Sequence, residues 1–163
     1  LDELIEEVGK DVVRYFFIMR GMNTHLNFDM TLAKNESDEN PIYYLQYAHA
    51  RLCNILKHAE GQGYKLDENS DLVPLTLDSE ISLIKSLLEF PNIIKKTLDS
   101  LEPQNIANYL QDLAAMFHRY YAKERVVTDN AEKTRARLIL IRALQIVIFN
   151  GLAVLGIQAP ERM

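Results

Sequence analysis

From Asn40 to Gly156, apolar residues return at spacings of three and four, a rhythm that allows little except packed helices. Asn40-Pro41 is a strong start signal, because Asn caps free backbone amides and Pro is preorganised for the first helical position. Ile42, Leu45, Ala48, Leu52, Ile55 and Ala59 then share one face until Gly61 and Gly63 end the helix. Residues 64–77 read as a loop. A helix follows from about Asp78, with Ile81, Ile84 and Leu88 on one face. Pro91 should break or kink it, since Pro lacks a backbone donor and clashes with the preceding turn; Ile94, Leu98 and Leu101 resume the pattern. Pro103 opens another helix, with Ile106, Leu110, Leu113, Phe117 and Tyr120 facing inward. Asp129, followed by Glu132 three residues on, resembles a capping box before the last helix. That helix should run to Gly156, about 27 residues or roughly 40 Å. It is apolar on most sides, which marks it as the centre of a bundle.

The first 40 residues differ. Apolar clusters at 2–8 and 10–20 flank Gly9, and a polar connecting segment fills 21–40. Val12, Val13, Tyr15, Phe16, Phe17 and Ile18 need cover, so this part should pack on the bundle or drive dimers. The expected organisation is all-α: a short helical appendage at 1–40 and a bundle at 41–163. Composition agrees. Gly and Pro total 11 of 163 residues, too few for a turn-rich β protein. Cys53 is the one cysteine, which excludes an internal disulfide and suits a reducing, cytoplasmic setting. The densest apolar run, Leu138 to Leu155, is interrupted by Arg142, Gln145 and Asn150, so no membrane span is expected. The start is too acidic for a signal peptide, and Leu1 in place of Met reads as a piece of a longer protein.

A net charge of −5 argues at first against a nucleic-acid partner. The average hides structure. Residues 1–40 carry −5 and residues 67–102 another −5, while 41–66 carry +2 and 103–163 carry +3. The basic segments hold two aromatic clusters. Tyr43, Tyr47, Arg51, Asn54 and His58 fall on one helical face opposite the apolar one. Such a stripe can stack an unpaired base and hold its phosphate, or its tyrosines can pack against a neighbouring helix; periodicity favours packing. Phe117, His118, Tyr120, Tyr121, Lys123 and Arg125 are denser. Three rings there cannot all enter one narrow core stripe, so at least one should reach the surface beside a cation. A single-strand nucleic-acid platform and a wide buried face with a basic rim fit about equally.

Signals for other chemistry are weak. The four histidines show no metal-ligand spacing. Asp67, Asn69 and Asp71 begin like a calcium loop, but Leu72 stands where Gly is required and Pro74 intrudes. No Gly-rich phosphate loop or nucleophile elbow occurs, so catalysis by this chain alone is not expected.

Longer motifs are more specific. The run Gly9-Lys-Asp-Val-Val-Arg14-Tyr-Phe-Phe-Ile-Met-Arg20, then His25 to Asp29 and Leu32-Ala33-Lys34, resembles the segment after the Lys-Met-Ser-Lys-Ser loop of arginyl-tRNA synthetases. Asn40-Pro-Ile-Tyr-Tyr-Leu-Gln46-Tyr47-Ala48-His49-Ala50-Arg51 resembles the opening of that family's DALR anticodon-binding domain, and Asn150 to Met163 resembles its C-terminus. The resemblance implies a class I enzyme that esterifies arginine to its tRNA using ATP and Mg²⁺, acting as a monomer. The motifs that handle ATP are absent here, so no cofactor is expected in this chain. The resemblance further implies tRNA as partner, with Tyr47, Phe117, Tyr121 and Met163 at the anticodon loop; the two aromatic-basic clusters add Arg51 there and Lys123 and Arg125 on the backbone. A helical protein–protein adaptor, its aromatic stripes meeting a partner helix, is the alternative.

Overall fold

The computed structural model describes residues 1–21, 25 and 27–163. Part of the His25-to-Asp29 match, at Leu26, lies outside the described residues, as do Met22, Asn23 and Thr24 within the connecting segment. The described residues form seven helices: α1 (Asp2–Val8), α2 (Lys10–Ile18), α3 (Met30–Lys34), α4 (Pro41–Gly61), α5 (Asp78–Ser100), α6 (Gln104–Tyr121) and α7 (Ala131–Val154). The connecting segment is thus not wholly irregular, because the Asp29 carboxylate accepts from Thr31 and Leu32 amides and starts α3. The predicted cap of α4 is present: Asn40 Oδ1 accepts from the Ile42 and Tyr43 amides, and its Nδ2 donates to the carbonyls of Ala33 and Asn35. One buried Asn therefore starts α4 and ties it to α3.

Helix α5 packs along α6 and α4 along α7, with α4, α6 and α7 in mutual contact and α5 also against α7. Leu45, Leu52, Leu110, Leu113, Ile141, Leu144 and Ile148 form the dry centre. Gly151 lets Leu110 of α6 pack directly on α7, since a Cβ there would lie 2.6 Å from a Leu110 methyl. By length and hydropathy α7 would pass for a membrane span, contrary to the reading from its interruptions. In this fold, however, it packs against three helices.

Four sequence expectations are corrected. Pro91 does not break α5, which continues through it as one helix; the residue is exposed, and its missing amide forfeits the bond to the Leu87 carbonyl. The face of α5 differs in part: Ile84 and Ile94 pack against the core as expected, together with Leu87 and Phe90, and Glu80 and Leu83 are buried, whereas Ile81, Leu88, Leu98 and Leu101 are exposed. The reason is polar: Glu80 must point inward to meet Arg137. Asn130, not Asp129, caps α7 by accepting from the Lys133 amide. Finally α7 ends at Val154, 24 residues or ~36 Å. Gly156 follows with φ +70°, and the amides of Gly156 and Ile157 return to the carbonyls of Ala153 and Leu152, a Schellman close.

The appendage packs on the bundle, one of the two outcomes expected. Tyr15 and Phe16 are buried, and α2 touches α4 and α6. Gln111 Nε2 donates to the Tyr15 hydroxyl at 2.8 Å and to the Pro41 carbonyl at 2.7 Å. Burial, partly offset by that bond, pushes the Tyr15 phenol up to about 12. The Asp11 carboxylate accepts from the Gln158 amide, so α2 also holds the start of the C-terminal tail.

Candidate functional site

The stripe on α4 faces the end of α6 across an open groove of about 860 Å³. Its walls include Tyr47, Arg51, Asn54 and His58 from α4, Gln62 just past its end, Tyr121, Lys123 and Arg125 from the end of α6 and the loop beyond, and Met163 from the chain's end. Six of the seven residues named from sequence therefore line one groove, although they come from three separated stretches.

The tail reaches the groove because α4 staples it down. Gln46 Nε2 donates to the Gln158 carbonyl, His49 Nδ1 to the Pro160 carbonyl at 2.9 Å, and Lys57 pairs with Glu161 at 2.8 Å. A carbonyl can only accept, so His49 carries its proton on Nδ1, leaving Nε2 to accept from Gln145 at 3.3 Å. The Gln-Tyr-Ala-His-Ala-Arg run thus does two jobs: Gln46 and His49 hold the tail, while Tyr47 and Arg51 face the groove. Met163 follows the stapled segment and is half exposed.

Arg51 lies at the centre. Its guanidinium carbon is 4.4 Å from the Tyr47 ring centroid and 5.4 Å from that of Tyr121. It donates to the Tyr47 hydroxyl and approaches His118 Nδ1 at 3.5 Å. The His118 ring lies near that of Tyr47 with centroids 5.9 Å apart, and the Tyr43 ring with centroids 6.3 Å apart. Tyr47 thus packs against α6 through His118, as the packing reading expects, yet it keeps 37% of its surface open. Burial first, and then the Arg51 charge, pull His118 down to about 4, with the Tyr44 backbone working the other way. A neutral His118 can accept from Arg51 where a charged one would repel it. Among the described residues Arg51 has no carboxylate partner, so its charge is left to the groove.

Phe117 is the correction. It is fully buried and offers no face to a ligand. Its ring supports Tyr121 from beneath, with centroids 5.9 Å apart, and Tyr121 is the aromatic that reaches the surface. The two are co-facial as their four-residue spacing requires, but neighbouring helices cover the inner one. Sequence reasoning passed over Gln62, though it continues the Asn54 and His58 spacing by one more turn and contacts His58 Nε2 at 3.0 Å.

The groove suits an anion carrying flat rings. Lys123 and Arg125 are exposed on one wall, Arg51 lies on the other, and Tyr47 and Tyr121 offer π faces. Glu124 is the one acidic side chain among the described lining residues. The chain lacks a Gly-rich phosphate loop, and among the described residues no three His, Cys, Asp or Glu converge on a metal position.

Known proteins supply the context. The model of the DALR anticodon binding domain family matches residues 45–163. The arginine–tRNA ligase of Salinibacter ruber is 49% identical over the whole of this chain, which covers 29% of that protein. The arginine–tRNA ligase of Desulforamulus reducens is 45% identical, again over all of this chain and 29% of the relative. The structure of Thermus thermophilus arginyl-tRNA synthetase superposes with a TM-score of 0.82 at 28% identity, over 99% of this chain and 28% of that one. The chain spans less than a third of the length of these relatives. Its helical architecture and groove fall within the matched region over most of their extent, and the chain belongs to the DALR anticodon binding domain family.

Proposed function

We propose that this chain is the anticodon-recognising part of an arginine–tRNA ligase, and that its partner is arginine tRNA. The observation that carries this reading is the convergence of Tyr47, Arg51, Tyr121, Lys123, Arg125 and Met163 on one groove inside the region the family matches. Anticodon bases lie outside a duplex, so they can splay out, stack on aromatic rings and expose their Watson–Crick edges. Tyr47 and Tyr121 are suited to stack, Arg51 to hold a base edge or phosphate between them, and Lys123 and Arg125 to meet the backbone. Met163 would close the groove by apolar contact. Phe117 keeps a supporting role under Tyr121.

Residues 1–40 would be the tail of a catalytic body, and 41–163 the anticodon-binding bundle. Arginine activation with ATP and Mg²⁺, in a monomeric cytoplasmic enzyme, would belong to the part of the relatives that this chain does not span. Alone the chain should bind tRNA without charging it.

Binding of the 163-residue chain to an arginine tRNA transcript, and to one with the central anticodon base replaced, tests the reading. Tighter binding to the native transcript is expected, with affinity falling steeply as salt rises through counterion release. Equal binding to both would remove base recognition. No binding to either would favour the adaptor role.

A further inference from the structure

The loop that carries Lys123 and Arg125 is held from below by Arg137, a residue that no RNA could touch. Arg137 lies on α7 with 2% of its side chain exposed. Its Nε donates to Glu80 Oε1 at 2.7 Å, its Nη2 to Glu124 Oε2 at 3.0 Å, and its Nη1 to the Arg125 carbonyl at 2.5 Å. Glu80 is anchored in turn: it accepts from the Tyr120 hydroxyl and from the Leu77 amide at the start of α5. One planar guanidinium therefore joins the start of α5, the body of α7 and the loop after α6. Burial opposes its charge, but the Glu80 bond and the facing acids outweigh that and keep it cationic.

Two consequences bear on the groove. Clamping the Arg125 carbonyl and the Glu124 carboxylate fixes the backbone between Tyr121 and Val126, and so the directions of Lys123 and Arg125. Pairing with Glu124 also neutralises the one acidic side chain among the described lining residues, which would otherwise face an incoming phosphate.

We propose that Arg137 is a positioning residue for RNA binding, which presents Lys123 and Arg125 to the groove and masks Glu124. The inference rests on the RNA-binding reading above. Lysine cannot replace it, because one ammonium cannot serve three acceptors in a planar fork.

The test measures binding of arginine tRNA by the 163-residue chain carrying Arg137→Lys, Glu124→Gln or both. Arg137→Lys keeps the formal charge yet should weaken binding about tenfold and flatten the salt dependence. Glu124→Gln alone should change affinity by less than about twofold, because the Gln amide oxygen still accepts from Arg137 and keeps that arm of the clamp, while the charge it removes is already offset. In the Arg137→Lys background, Glu124→Gln should recover about threefold, since the unmasked charge is gone. A role confined to stability would lower the melting temperature without that recovery. Wild-type affinity in Arg137→Lys, or no recovery in the double variant, overturns the proposal. Should Arg137→Lys fail to fold, Glu124→Leu cuts a single arm of the clamp from its half-exposed end. Amides 122–126 must then exchange faster with solvent while those of α7 do not; unchanged exchange again overturns it. If the wild-type chain does not bind the transcript, the RNA-binding reading itself has failed, which is a different result.

Discussion

Two arginines lie against tyrosine rings in this molecule, and they are treated in opposite ways. Arg137 is buried beside Tyr120, with Glu80 and Glu124 as counter-charges and every nitrogen donating. Arg51 lies between Tyr47 and Tyr121, bonded to a phenol and a neutral imidazole, with no carboxylate among the described residues to answer it. The first arrangement spends its charge inside the fold, where an unpaired ion would be very costly. The second leaves a cation half-solvated and oriented by rings, ready for an anion from outside. The lesson concerns pairing: an arginine whose charge is matched builds structure, and one held only by neutral groups is available to a ligand.

The largest expected effect falls on the closed cluster. Glu80→Ala removes the partner of Arg137, Tyr120 and the Leu77 amide together, and should cost about 3–5 kcal/mol of folding stability. Arg51→Met should change stability little while abolishing most RNA binding. Urea unfolding and a binding titration on both variants would break the comparison if their effects were exchanged.

Phe117 and Tyr121 sharpen it one layer lower. Phe117→Ala should destabilise by about 3–5 kcal/mol, as expected for an aromatic lost from a core. Tyr121→Ala should leave the melting temperature nearly unchanged and weaken tRNA binding by about 1–3 kcal/mol. If Phe117→Leu, which keeps most of the buried volume, weakened binding as much as Tyr121→Ala, the burial of Phe117 would not describe the bound state.

The smallest effect is on acid sensitivity. His118 titrates near 4 in the fold and near 6.5 when unfolded. Above pH 6.5 both states hold it neutral. Between 6.5 and 4 the unfolded chain binds a proton that the folded chain refuses, so stability falls as pH falls, by at most about 1.4 kcal/mol per pH unit. Melting temperature against pH should therefore be flatter for His118→Gln than for the wild type across that window, and identical slopes would show that His118 is not the group responsible.

Much of the fold was legible in particular residues. Asn40-Pro41 and the three-four rhythm from Ile42 to Ala59 placed α4 correctly, because capping and amphipathicity are local properties. The face of helix α5 was legible only in part, since apolar side chains alone do not reveal that a glutamate will point inward. The site was legible in part. Tyr47, Arg51 and Tyr121 stand on the expected faces, and their families of contacts follow from spacing. That Phe117 is covered while Tyr121 is open depends on where α4 and α7 lie, which no spacing within α6 records.

The sequence by itself determined the helices other than α3, their order and the separation of basic aromatic segments from acidic ones, because each depends on residues close along the chain. Tertiary structure alone decided that Met163 returns to α4, that Arg137 reaches Glu80 across 57 positions, and that Glu124 is masked within a basic groove. Those outcomes depend on how helices pack, and packing is settled by the whole set of buried shapes and charges together.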